Sequence, residues 1–241
     1  MQSRKMNSPL LHWVVLFIFI MAGLVFFLNS SFFSVQKIDF QGLANIPEGE
    51  VQKLASQVQG QNIFFFDRIL LTQRLKLHPL LQDVTYQKKL PHTLIIQVTE
   101  RTPFALVLVP KGVIEVDSEG IFLRRMESWP DEDNPVIDGV TVPESAGPGQ
   151  NISTPALTSV LHLLSQAPSA LLPLIGEVHI SDIQQITLFL MSGVEVRLGQ
   201  AEDWQDKLAA LYQLLNDQEY QSFQHGVRYI DFTAAKPVIG R

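Results

Sequence analysis

The sequence predicts an α+β protein on an N-terminal transmembrane helix: a small β-α-α-β-β module, then a larger, mostly antiparallel β region with two flanking helices. Three observations carry this. Leu10 to Leu28 is an unbroken run without a formal charge. Val84 to Ala105 reads as two alternating strands around Lys89-Leu90-Pro91-His92. Beyond Pro103, short apolar segments recur between Gly- and Pro-containing turns, interrupted by two helical stripes.

The first run, nineteen residues from Leu10 to Leu28, spans about 28 Å as a helix at 1.5 Å per residue, close to the hydrocarbon thickness of a bilayer. A cleavable signal has a shorter apolar stretch and a small-residue cleavage site, and Leu28-Asn29-Ser30-Ser31 offers neither, so an uncleaved anchor is expected. Arg4 and Lys5 precede the run and no charge follows until Lys37. The positive-inside rule therefore leaves the N-terminus in the cytoplasm and residues 32–241 outside it.

Val35 to Gln41 alternates as a strand, with Val35, Lys37 and Asp39 on one face and Ile38 and Phe40 on the other; Gly42 ends it. Pro47-Glu48 opens a helix whose Val51, Leu54, Ala55 and Val58 share one face. Phe64, Phe65 and Phe66 are expected in the core, and Asp67 caps a second helix running to about His78 before Pro79. In the hairpin, Val84, Tyr86 and Lys88 alternate with their neighbours, as do Leu94, Ile96 and Val98. Val51, Leu54, Val58, Ile96 and Val98 are expected to share a core in a module that folds as its own unit.

The second region reads as strands at Phe104–Val109, Val113–Val116 and Ile121–Leu123, with Pro135-Val136-Ile137-Asp138-Gly139 following the acidic loop. Trp129 to Asn134 is read as a solvated acidic loop, because the ligand spacing of a calcium loop is missing. Thr154-Pro155 opens a helix with a Leu157, Val160, Leu161, Leu164 stripe. Strands follow at Val178–Ser181, Gln185–Leu190 and Val194–Leu198, then a helix carrying Trp204, Leu208, Leu211, Tyr212 and Leu215. A last strand runs from Val227 to Thr233.

Composition excludes several classes. There is no cysteine, which removes disulfides, lipoprotein acylation and thiolate chemistry. Residues 32–103 carry eight basic and six acidic side chains, residues 104–241 eight and eighteen, so the second region is a poor nucleic-acid partner. The six histidines are scattered, and no nucleophile elbow, Ser-x-x-Lys pair or phosphate-binding glycine loop is present. No catalytic, metal or cofactor residues are assigned; Glu100 with Arg101 and Asp231 near Arg228 read as pairs that stabilise strand ends. A protein-binding scaffold is expected, with an anchored extracytoplasmic enzyme, or a sensor or transport adaptor of the cell envelope, as competing classes.

The motifs then point to a family. Phe33-x-Val35-x-x-Ile38-x-Phe40-x-Gly42 is similar to the opening strand of a POTRA domain. The stretch from Leu90-Pro91 through Glu100-Arg101-x-Pro103-x-Ala105, Val116-Asp117-x-x-Gly120, Pro135-Val136-Ile137-x-Gly139, Gly193-Val194-x-Val196-x-Leu198-Gly199 and Ile230-Asp231-Phe232 resemble, in order, the FtsQ/DivIB bacterial cell-division proteins. The resemblance implies a cytoplasmic tail at 1–9, a transmembrane helix at 10–28, a POTRA domain at 32–103 and an FtsQ/DivIB-type β domain at 104–241. It further implies a non-catalytic divisome scaffold at the septum that binds FtsL and FtsB/DivIC-like partners, contacts other membrane division proteins through the POTRA domain and helps regulate septal peptidoglycan synthesis. Thr233 stands where the family often has a basic residue.

The last strand is the candidate partner-binding element: Arg228, Tyr229, Ile230, Asp231, Phe232 and Thr233, with Tyr229 as the anchor. Its outer side is either paired internally or open to a partner strand, and since Ala234 to Arg241 is short and holds Pro237, an open edge is the working expectation.

Overall fold

A computed structural model describes residues 8–129, 134–181, 185–200, 203–234 and 236–241. Most of the acidic loop at 129–134 lies outside these residues. The chain divides into two units, Met1–Glu100 and Arg101–Arg241.

In the first unit, α1 (Ser8–Leu28) is long and apolar enough to cross a membrane, and its side chains from Leu11 onward are mostly exposed. The module after it has the expected order: β1 (Lys37–Gln41), α2 (Glu48–Ala55), α3 (Arg68–Leu75), β2 (Leu81–Lys89) and β3 (Thr93–Glu100). The sheet order is β1-β3-β2, with β1 parallel and β2 antiparallel to the central β3. Gly42 takes φ +85, and a Cβ there would lie 2.3 Å from the Val98 carbonyl oxygen, so only glycine fits the turn. Asp67 Oδ1 accepts the Leu70 N–H at 3.0 Å, as its N-cap position predicts; α3 stops at Leu75, one turn earlier than read.

Val51, Ala55, Val58, Leu71, Leu75, Leu94, Ile96 and Val98 are buried in one core. Leu54 sits only at its border, half-buried, on the flank of a stripe centred on Val51, Ala55 and Val58. The three phenylalanines also part company. Phe66 is buried, Phe64 packs at the margin, and Phe65, expected inside, is 63% exposed because consecutive residues cannot all face one core.

The second unit is a nine-stranded, mostly antiparallel sheet. Its strands are β4 (Ala105–Val109), β5 (Gly112–Val116), β6 (Phe122–Met126), β7 (Val136–Asp138), β8 (Ile175–Ile180), β9 (Ile186–Leu190), β10 (Glu195–Gly199), β11 (Tyr229–Asp231) and β12 (Val238–Gly240). The order across the sheet is β12-β11-β10-β9-β8-β7-β4-β5-β6, and the parallel neighbours are β10/β11, β7/β8 and β4/β7. α4 (Pro155–Gln166) and α5 (Trp204–Leu215) put Leu157, Val160, Leu164, Leu208 and Leu211 into one core with Ile137, Val178, Leu188, Val196 and Ile230. Thr154 Oγ1 accepts the Leu157 N–H at 3.2 Å, and Pro155 fills the first helical position. A third, short helix, α6 (Gln218–Phe223), was not read; it is capped by Asp217, which accepts from Glu219 and Tyr220.

The two acid–base pairs expected at strand ends do not form. Glu100 instead accepts the backbone N–H groups of Ala44, Asn45 and Ile46 at 2.8 to 3.1 Å. Arg101 turns to Asp117 and Glu119, and Asp117 also accepts the N–H groups of Glu119 and Ile121, tying the turn after β5. Each side chain is thus taken up by other partners, Glu100 by backbone N–H groups and Arg101 by carboxylates beyond β5.

Candidate partner surface at the sheet margin

The C-terminal strand is shorter than read and is not the edge. β11 lies between β10 and β12: Val196 is opposite Ile230 on one side, and Ile239 is opposite Ile230 on the other. The Arg228 N–H donates to the Gly240 carbonyl at 2.9 Å, and the Phe232 N–H to the Arg197 carbonyl at 2.8 Å. The margin of the sheet is therefore β12, which forms beyond Pro237 because the proline ends at the strand's entry, where no ladder donor is needed. The apolar pair Val238-Ile239 was the signal available in the sequence.

The six candidate residues separate into two faces. Ile230 and Phe232 are buried in the core beneath the helices, so their side chains hold the fold and are not free for a partner. Tyr229 and Asp231 lie on the opposite face, partly exposed, and Arg228 and Thr233 are exposed. Tyr229 is half-buried as expected of it, but by internal neighbours. The Arg197 guanidinium lies 4.7 Å from its ring centroid, and Gly240 lies beneath it: a Cβ on Gly240 would come within 2.1 Å of the ring. Arg197 is itself held by Glu195, Nε to Oε1 at 2.7 Å.

Asp231 does not pair with Arg228. Its Oδ1 accepts both the hydroxyl and the N–H of Thr233, at 2.6 and 2.7 Å. Those bonds, the hydroxyl first, hold its carboxyl below the usual aspartate value. Thr233, the departure from the family pattern, thus closes a short turn at the end of β11. On β12 the surface exposes Val238 at 48%, beside half-buried Ile239 and Gly240. A row of backbone groups beside half-exposed apolar side chains can accept a partner strand, with ladder bonds giving attachment and alternate side chains the register.

Further along the same sheet, Asp138, Glu177 and His179 on β7 and β8 carry donor atoms within 4.8 Å of one another, the set among the described residues that could hold a metal ion. His179 Nδ1 already lies 3.0 Å from Asp138 Oδ2, a hydrogen-bond contact that accounts for the closest approach.

Residues 105–232 match the family "Cell division protein FtsQ/DivIB, C-terminal", and residues 33–101 match "POTRA domain, FtsQ-type". The chain belongs to the FtsQ/DivIB cell division family. Among its relatives, the cell division protein FtsQ of Anaeromyxobacter sp. (strain K) is 29% identical over 206 residues, covering 84% of this chain and 69% of that protein. FtsQ of Geobacter sp. (strain M21) is 28% identical, covering 85% of this chain and 74% of its own length. DivIB of Clostridium botulinum (strain Loch Maree) is 29% identical over 123 residues, about half of each chain (51% and 48%). Among solved structures, the major extracytoplasmic domain of DivIB from Geobacillus stearothermophilus aligns with a TM-score of 0.36 at 20% identity, covering 46% of this chain and 87% of that one. The FtsQ/DivIB match ends at residue 232, so β12 lies beyond it.

Proposed function

We propose that this FtsQ/DivIB protein is a non-catalytic, single-pass membrane scaffold of the bacterial division machinery. In this reading residues 1–9 stay in the cytoplasm, residues 10–28 cross the membrane, and the POTRA domain (32–103) and β domain (104–241) lie outside it, at the division septum. The protein gathers FtsL- and FtsB/DivIC-like partners, and through them contributes to the assembly and control of septal peptidoglycan synthesis. The POTRA domain contacts other membrane division proteins. The observation that carries the reading is the β12 margin of a large sheet in a cell-division family, which offers backbone groups for pairing.

The residues Arg228 to Thr233 remain in the proposal in a revised role. Ile230 and Phe232 seat β11 in the core, Tyr229 packs over Gly240 and steadies β12, and the partner strand adds along Val238–Gly240. Removing residues 236–241 from the full chain takes away one neighbour of β11 but leaves the buried Ile230 and Phe232 and the pairing with β10, and circular dichroism checks that the shortened chain is folded. The expected result is loss of capture of the FtsB/DivIC-like partner by at least about tenfold, or roughly 1.4 kcal/mol. Undiminished capture by the folded, shortened chain overturns the assignment. A fluorescent fusion spread evenly over the membrane of dividing cells, with normal septation on depletion, overturns the scaffold role itself.

A further inference from the structure

The end of the POTRA module nearest α1 gathers apolar and basic side chains from three separate segments. The chain leaves α1 at Leu28, and the Asn62 side-chain amide donates to the Leu28 carbonyl at 2.7 Å. Rings continue the connection: Phe27 to Phe33 at 5.2 Å, Phe33 to Phe64 at 5.1 Å, Phe64 to Phe65 at 6.3 Å between centroids. The loop Asn62–Phe66 is thus held against the last turn of the apolar helix.

The hairpin tip lies at this same end. β1 starts at Lys37 and runs away from α1, β3 is parallel to it with Thr93 opposite Lys37, and the His92 carbonyl accepts the N–H groups of Gln36 and Lys37. The first turn of α3 is there too. Lys88, near the tip, lies 5.4 Å from the Phe64 ring centroid, whereas Thr72 reaches Tyr86 and Lys76 reaches Asp83, successively farther from the tip along β2. α3 therefore runs antiparallel to β2 and begins at the end nearest α1.

What this end exposes is unusual for a free protein surface. Phe32, Phe65, Ile69 and Leu90 are 57%, 63%, 73% and 54% exposed. Around them stand Arg68 and Lys89, both exposed, and Lys88, with Asp67 committed to capping α3. Arg68 and Lys88 lie on the Phe66 ring, each 5.9 Å from its centroid. Burial first, and then Arg68, hold the Lys88 ammonium below the usual lysine value, a strain that an anion would relieve.

We propose that this end of the POTRA module is a membrane-interface surface that seats on the bilayer carrying α1, dips Phe32, Phe65, Ile69 and Leu90 into the headgroup region and binds anionic lipid phosphates through Arg68, Lys88 and Lys89. The occupant follows from the position: the patch is tied within one side chain's reach of the end of a helix of membrane-spanning length, and aromatic tips interleaved with cations are the composition that the interface stabilises. The surface rests on the reading of α1 as a membrane anchor.

The chain has no cysteine, so single cysteines can be placed and labelled with a nitroxide at will. Full chain carrying Phe19→Cys, Ile69→Cys, Leu90→Cys or Gln82→Cys is reconstituted in nanodiscs of phosphatidylethanolamine with phosphatidylglycerol. Gln82 is exposed at the far end of β2. Collision with oxygen is compared with collision with a water-soluble nickel chelate. The oxygen-to-nickel ratio at Ile69 and Leu90 should exceed that at Gln82 by at least about threefold, as for residues immersed in the interface. It should fall toward the Gln82 value when Arg68→Glu and Lys89→Glu are combined, or when phosphatidylcholine replaces both lipids. Ratios at Ile69 and Leu90 equal to Gln82, with a lipid-immersed Phe19 label, overturn the proposal and leave the anchor standing. A nickel-accessible Phe19 label overturns the anchor and the proposal together. Immersion that is the same in both lipids overturns the assignment of phosphate binding to the three cations.

Discussion

The two sheets of this protein solve the same problem with different means. The POTRA sheet has three strands, and two of them, β2 and β3, are nine and eight residues long. The β domain has nine strands, none longer than six residues, and three of them (β7, β11 and β12) have only three. A long strand carries its own stability in a continuous ladder and its own alternation in sequence. A three-residue strand has neither, and depends on its neighbours in the sheet: β7 and β11 have one on each side, and β12 has β11. The small sheet is therefore built from local signals and the large one from distant contacts.

Core truncation should break both sheets, and the comparison lies in how far the damage spreads. Phe122→Ala on β6 should cost about 3–5 kcal/mol, and Ile96→Ala on β3 about 2–5 kcal/mol, since both side chains are buried. Hydrogen-exchange mass spectrometry of the full chain reads each sheet separately. Ile96→Ala should loosen residues 33–100 as one block, and Phe122→Ala should loosen the short strands of the second unit together. Leu54→Ala should cost clearly less than Ile96→Ala, because Leu54 borders the core; an equal cost would place Leu54 inside it.

A smaller effect compares the carboxylates that fasten the loops. Glu100 is pushed up by burial, but the N–H groups of Ile46, Ala44 and Asn45 outweigh this and hold it below its ordinary value of 4.5. A depressed carboxyl stabilises the fold above its unfolded pKa, and the contribution fades as pH falls through the folded value. The first unit should therefore lose protection as pH drops below 4.5, and Glu100→Gln should remove that dependence at a cost of about 1–2 kcal/mol at neutral pH, discounted for partial exposure. Urea titrations of both chains between pH 6 and 3 check it; parallel pH curves would assign the loop's stability elsewhere.

The smallest expected effect is at the margin. Gly240→Ala drives a methyl into the Tyr229 ring and should cost about 1 kcal/mol or less, because an edge strand can shift. Exchange should quicken in β11 and β12 and leave β8 unchanged. Acceleration spreading to β8 would show that the margin is built into the core.

The same contrast explains what could be read beforehand. Asp67, Thr154-Pro155 and the Leu94, Ile96, Val98 alternation act locally, so the POTRA order and the caps were legible. β12 was not, because the apolar pair Val238-Ile239 is too short to show a period of its own, and its pairing depends on β11. The candidate residues Arg228 to Thr233 sit one strand in from the sheet margin, and which faces they use depended on β10 and β12 flanking them. Glu100 was noticed for a charge beside it, while its partners are backbone groups that no side-chain pattern announces.

β10 and β11 are neighbours that run the same way, so the chain must cross over through α5 and α6 before they can meet. Closing that crossover costs entropy before any ladder bond is gained, and the reward is only three opposed residue pairs on each side of β11. The last two strands are therefore expected to form late in folding and to open first. On the pairing proposed for β12, a partner strand should lengthen the time this segment stays closed, and occupancy at the margin would then be read as a slower clock in the exchange of Tyr229 to Asp231.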